Sequence, residues 1–141
     1  MDIVEPKIRS KMMASVRSKN TRPELKVRSI LHNSGLRFRL HRKDLPGNPD
    51  IVLPKHKKII FVHGCFWHQH PGCPKSKRPA TRIEFWNQKL DENMKRDADN
   101  IHKLEKSGWT VFVIWECQTK SEDKLLRVIG EIFPCNYEKN E

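Results

Sequence analysis

The sequence predicts an α/β fold in which helices flank a sheet. Three observations carry that prediction. Capping signatures at Thr21 and Thr81 open two segments of helical character. Short apolar runs at residues 50–53, 59–63 and 109–115 have the length and bounding of strands. At 141 residues the chain is long enough for one core and short for two, so residues 1–141 read as a single domain.

The elements follow in order. Residues 7–19 read as a short basic helix with Ile8, Met12 and Val16 on one side. Thr21-Arg22-Pro23-Glu24 starts the next helix, with Thr21 as N-cap, proline in the first turn and Glu24 closing a capping box. That helix runs through Leu25, Ile30 and Leu31 to Gly35, a left-handed C-terminal cap. Phe38 and Leu40 then alternate with basic residues, as in a half-buried strand. Turn chemistry makes residues 45–49 a loop, and residues 50–53 and 59–63 pair as a hairpin across PKHKK. A second capping box, Thr81 to Glu84, opens a helical region reaching Gly108 in one or two pieces, with Met94, Ile101 and Leu104 turned inward. Trp109–Trp115 is a buried strand, and residues 121–132 a last helix using Leu125, Leu126, Ile129 and Ile132.

A formal net charge of +11 favours a polyanionic partner, because each Lys or Arg docked on a phosphate releases condensed counterion. No segment approaches a membrane-spanning length, and the N-terminus lacks a signal-peptide core, so a cytoplasmic protein without a membrane partner is expected. In a reducing compartment the four cysteines are better read as thiolate ligands than as a disulfide framework. Cys65, His70 and Cys73 form C-x4-H-x2-C, one ligand short of the tetrahedral set that zinc prefers. Cys117, just past a core strand, is the natural fourth. A closed Cys3His set is structural, with no open position for catalysis. His68 competes with His70 as the histidine ligand, and Cys135, behind Pro134, reads as a bystander thiol.

Asp50, at the head of a strand beside a loop, is the first candidate to hold Mg²⁺, which takes one or two carboxylates and keeps several waters. His63 ends the next strand and His68 lies in the following loop. Either can stabilise charge on a phosphate, protonate a leaving oxygen or activate water. Glu24 is either a capping residue alone or, if its helix start faces Asp50, a metal-proximal acid. Phe66 and Trp67 in the cysteine loop and Trp86 in the next helix, rimmed by Arg78, Arg82 and Lys89, suit stacking on or wedging between bases. Trp109 and Trp115 are better read as core.

With these residues assembled, the chain resembles the very-short-patch repair endonucleases, which nick mismatched DNA. The likeness runs from RSKMMASVRSKNTRPELKVR through LPGNPDIVLP, FVHGCFWHQHPGC and PATRIEFWNQKL to GWTVFVIWEC. The resemblance implies a restriction-endonuclease-like mixed sheet flanked by helices with a structural zinc site. It implies nicking on the 5′ side of the thymine in a T·G mismatch, the product of 5-methylcytosine deamination. Asp50, with the backbone carbonyl of Val62, would hold Mg²⁺. His63 and His68 would be active-site histidines, Glu24 would lie near them and Asp97 would orient His68. Phe66, Trp67 and Trp86 would intercalate, and Cys65, His70, Cys73 and Cys117 would hold zinc. The basic N-terminal segment, residues 1–20, would bring Met12, Met13 and Val16 to the minor-groove side. A functional link to a cytosine methyltransferase follows from the same resemblance. Related nucleases carry a second acid and a lysine on the strand that here reads Ile60-Phe61-Val62-His63, a variation of the repair family itself. A monomer is expected, since a single asymmetric mismatch needs no two-fold symmetry. Two rivals remain: a non-catalytic zinc module on distorted DNA, which has no need of the Asp50, His63 and His68 set, and a restriction-type nuclease acting on intact duplex.

Overall fold

The computed structural model describes residues 20–134. The basic helix expected at residues 7–19, with Met12, Met13 and Val16, lies outside the described residues, as does Cys135. Among the described residues three α-helices and four strands follow: α1 (Arg22–Asn33), β1 (Arg39–Leu40), β2 (Ile51–Leu53), β3 (Lys58–His63), α2 (Ile83–Lys106), β4 (Thr110–Trp115) and α3 (Glu122–Ile132). They form one mixed sheet in the order β1-β2-β3-β4. The first two pairings are antiparallel and β3–β4 is parallel, with His63 opposite Trp115. Parallel neighbours need a crossover, and α2 supplies it.

The two-residue period of the strands sorts the core between two faces. Ile51, Leu53, Ile60 and Ile114 point to one face, where Val27 and Leu31 of α1 and Leu125, Ile129 and Ile132 of α3 cover them. Val52, Ile59 and Phe61 point to the other, under Leu104 of α2 with Ile101, Trp109, Val111 and Val113 around it. β2 is buried on both faces, so its three residues are all apolar.

Thr21 caps α1 as expected, its hydroxyl accepting from the Glu24 N–H (3.3 Å). Gly35 (φ +80°) ends the helix, and the Leu36 N–H reaches back to the Leu31 carbonyl at 3.0 Å. Elsewhere the structure corrects the expectation. No capping box forms at Thr81: Arg82 takes the N-cap position in a left-handed conformation (φ 51°), without a side-chain cap. That turn leaves Thr81 one residue outside the cap. α2 then runs unbroken for 24 residues. Its inward stripe is Trp86, Leu90, Asp97, Ile101 and Leu104, and Met94 falls off it and is exposed. Leu126 is exposed for the same reason, one residue off the stripe of Leu125, Ile129 and Ile132. β1 shrinks to two exposed residues at the sheet margin, leaving Leu40 uncovered while Phe38 packs on the core. β4 borders the sheet on the other side, so only Ile114 of the expected buried strand is fully covered.

Candidate active site and metal centre

Asp50 stands immediately before β2, with its Oδ2 accepting the Val62 N–H of β3 at 2.8 Å. The carboxylate thereby reaches the residue before His63. Burial pushes its pKa up to about 6, against the stabilising Val62 N–H; the charge of Glu24 raises it further, and His41 and His68 draw it back. A buried acid held up in this way is a group whose ionised form gains from a cation.

His63 is buried at the end of β3, and its ring lies parallel to that of His68 with centroids 3.8 Å apart. Burial lowers the His63 pKa to about 4, with His68 lowering it and Asp97 raising it, so His63 is neutral at pH 7. Its Nδ1 has no hydrogen-bond partner among the described residues. His68 donates from Nδ1 to Asp97 Oδ2 at 2.6 Å. Asp97 comes from the inward stripe of α2, where a carboxylate is otherwise out of place. A cleft of about 960 Å³ brings together Asp50, Val62, His63, His68 and Asp97, with Phe66 and Trp67 on its wall.

Glu24 does not close the expected capping box onto the Thr21 N–H. The residue is 1% exposed; its Oε1 accepts the Asn20 N–H (3.2 Å), and its Oε2 meets both the Arg28 guanidinium and His41 Nε2 (2.7 Å). Ligand atoms of Glu24, His41 and Asp50 lie within 4.8 Å of one another, so the acid stands beside Asp50. Sequence reading missed His41. It sits in a basic run with no diagnostic spacing, and only the fold carries it to a residue 17 positions earlier.

The cysteine set assembles as expected: one ligand atom each from Cys65, His70, Cys73 and Cys117 lies within 4.8 Å of the others. His70 Nδ1 is 3.7 Å from Cys65 Sγ and 3.4 Å from Cys117 Sγ. Ideal tetrahedral zinc with ordinary Zn–S and Zn–N bonds would separate those donors by about 3.6 Å. The competing histidine, His68, bonds Asp97 instead, and His70 is the histidine that stands with the cysteines. Burial pushes the Cys65 thiol up to about 11, which leaves its thiolate dependent on a nearby cation. Trp115 joins the two centres: its ring stacks on His70 (4.3 Å, 8°) and meets His63 edge-on (5.3 Å).

Phe66, Trp67 and Trp86 cluster with centroids 5.2–5.9 Å apart. They are not equally open. Trp86 is 9% exposed, contrary to the expectation of an exposed aromatic, because α2 turns it inward under the half-buried Phe66 and Trp67. The exposed aromatic of that turn is Phe85, under the Arg82 guanidinium (4.4 Å). Arg78 does not rim this surface freely. It bonds Gln69, Asn87 and Asp91 and so ties the cysteine loop to α2.

Known proteins resemble this chain in sequence. Residues 1–75 match the family model described as DNA mismatch endonuclease Vsr. The type II nicking enzyme V.XorIIP of Xanthomonas oryzae pv. oryzae is 51% identical over 117 residues, covering 83% of this chain and 85% of that relative. The DNA mismatch endonuclease Vsr of Escherichia coli K12 is 41% identical over 124 residues, 88% of this chain and 79% of the relative. The type II nicking enzyme V.NmeAIP of Neisseria meningitidis is 42% identical over 135 residues, 93% of this chain and 96% of the relative. With its acid, histidines and cysteine set assembled in the fold and relatives of this extent, the chain belongs to the Vsr family of DNA mismatch endonucleases.

Proposed function

We propose that this protein is a Mg²⁺-dependent DNA endonuclease that nicks one strand 5′ of the thymine in a T·G mismatch, starting very-short-patch repair. The observation that carries the reading is Asp50, hydrogen-bonded to β3 beside the stacked His63 and His68, in a cleft whose wall is Phe66 and Trp67. The same arrangement and element order support a restriction-endonuclease-like fold.

Asp50 and the Val62 carbonyl would hold Mg²⁺, which neutralises charge on the scissile phosphate when bound. Asp97 accepts from His68 Nδ1, fixes the tautomer and leaves Nε2 as the nitrogen that takes or gives a proton. His63, neutral at pH 7, is an available acceptor. Glu24, paired with Arg28, places a second carboxylate near Asp50. Phe66 and Trp67 enter the distorted base step with Trp86 as the packing block behind them. Unstacking costs a few kcal/mol per step, least at a mismatched pair. In the cysteine set a structural zinc ion would need no open position. Met12, Met13 and Val16 contact the minor-groove side; the protein acts as a monomer in the cytoplasm, following errors left at a methyltransferase's sites.

The test is an end-labelled duplex carrying one T·G mismatch, with Mg²⁺ or EDTA, beside a matched T·A control. A Mg²⁺-dependent cut 5′ of the mismatched thymine only is expected. Asp50→Asn should slow it on the order of a thousandfold while keeping DNA binding. Equal cutting of both duplexes would establish a nuclease of intact DNA instead, and binding without cutting a non-catalytic module.

A further inference from the structure

His41 lies on the cleft, is absent from every role assigned so far, and touches both acids. Its backbone N–H donates to the Asp50 carbonyl (3.2 Å), and its ring Nε2 donates to Glu24 Oε2 (2.7 Å). The residue adopts φ 46°, a left-handed conformation that a residue with a Cβ enters only under constraint. That turn ends β1 and swings the imidazole back to the first turn of α1. Glu24 therefore has donors on both oxygens: Asn20 on Oε1, and Arg28 and His41 on Oε2. Arg28 approaches from the same helix, four residues on, and its guanidinium also stands 3.4 Å from His41 Nε2. Asn20 directly precedes the N-cap of the same helix, whereas His41 comes from beyond β1 and also holds the Asp50 backbone. We propose that His41 is a positioning residue, whose Nε2 bond fixes the Glu24 carboxylate beside Asp50 for the hydrated divalent cation that Asp50 holds.

This inference rests on the nuclease reading for its kinetics, and its binding arm stands apart from that reading. Two substitutions separate the bond from the fold. His41→Asn suits the left-handed backbone, because asparagine visits that region readily, yet its amide is too short to reach Glu24. His41→Gln places an amide N–H close to where Nε2 stands. Mn²⁺ binding to the DNA-free protein, read by the electron paramagnetic resonance of free Mn²⁺, should weaken about 10-fold or more in the Asn variant, as when other partners that orient metal ligands are lost. The Gln variant should recover most of that loss. In nicking assays the Asn variant should need correspondingly more Mg²⁺ for half-maximal rate, with duplex affinity in EDTA unchanged. Wild-type Mn²⁺ affinity in the Asn variant overturns the proposal, and so does a Gln variant as weak as Asn. Wild-type protein that binds Mn²⁺ but cuts no mismatched duplex would remove the nuclease reading and leave the binding comparison to decide His41.

Discussion

At the residue scale, Asp50 combines two demands that oppose each other. A carboxylate that is to hold a cation must be ionised, yet burial holds its pKa near 6 in the folded protein, against an ordinary value of 3.8. A raised acid favours the fold while protonated, so its contribution is complete below pH 3.8 and is lost as pH rises through 6. The metal-free protein thus carries at pH 8 a penalty on the order of 2–3 kcal/mol from this one group. Asp50→Asn should raise the melting temperature of metal-free protein at pH 8 by roughly 5–10 °C, with the gain gone near pH 4. His63, depressed to about 4, works in the other sense: it favours the fold above pH 6.5 and loses that contribution as pH falls towards 4. Comparing the two proteins at each pH cancels the histidine. A thermal melt series decides the matter, and an Asn variant no more stable than wild type at pH 8 would contradict this account of Asp50.

Between residue and fold, the element scale separates what the sequence reveals from what it conceals. Local chemistry is legible: Thr21 caps α1, Gly35 ends it, and β2 and β3 lie where short apolar runs indicate. The meeting of Asp50 with the end of β3, and of the cysteines with His70, is legible too, because hairpin pairing and the C-x4-H-x2-C spacing bring them together. Whatever depends on helix phase or a distant partner is not. Thr81 has the spacing of a cap, but the left-handed turn at Arg82 moves the helix start past it. Once that start is fixed, the stripe of α2 turns Trp86 in and leaves Met94 out. His41 has no local signal, since its meaning is a carboxylate in another element. These phase assignments have energetic weight. Leu104→Ala, in a fully buried position, should cost about 2–5 kcal/mol in denaturant unfolding, whereas Met94→Ala and Leu126→Ala should stay within about 0.5 kcal/mol. A Met94 variant as damaging as the Leu104 variant would mean that α2 presents a different face.

On the scale of the whole molecule, the cysteine set joins ends that the chain keeps far apart. Cys65, His70 and Cys73 follow β3, all of α2 intervenes, and Cys117 follows β4. A metal there closes the β3–α2–β4 crossover, and Trp115 lies between its histidine and His63. Purified protein should therefore contain one equivalent of zinc by elemental analysis. Cys117→Ser should lose it and melt at lower temperature, and Cys135→Ser should retain it. Full zinc in the Cys117 variant would mean that another ligand completes the set.

The parallel β3–β4 pair also imposes an order in time. A ribosome emits Asp50, His63 and His68 well before Asp97, and Asp97 before Trp115 and Cys117. Until α2 has emerged, His68 lacks the carboxylate that fixes its tautomer. Until β4 has added to the sheet, the cysteine loop lacks its last anchor and His63 lies on an open edge. Pairing across so long a crossover is slow by nature. An unfinished chain thus holds the acid and both histidines without the frame that arranges them, and the cleft they line takes shape only once β4 has joined the sheet.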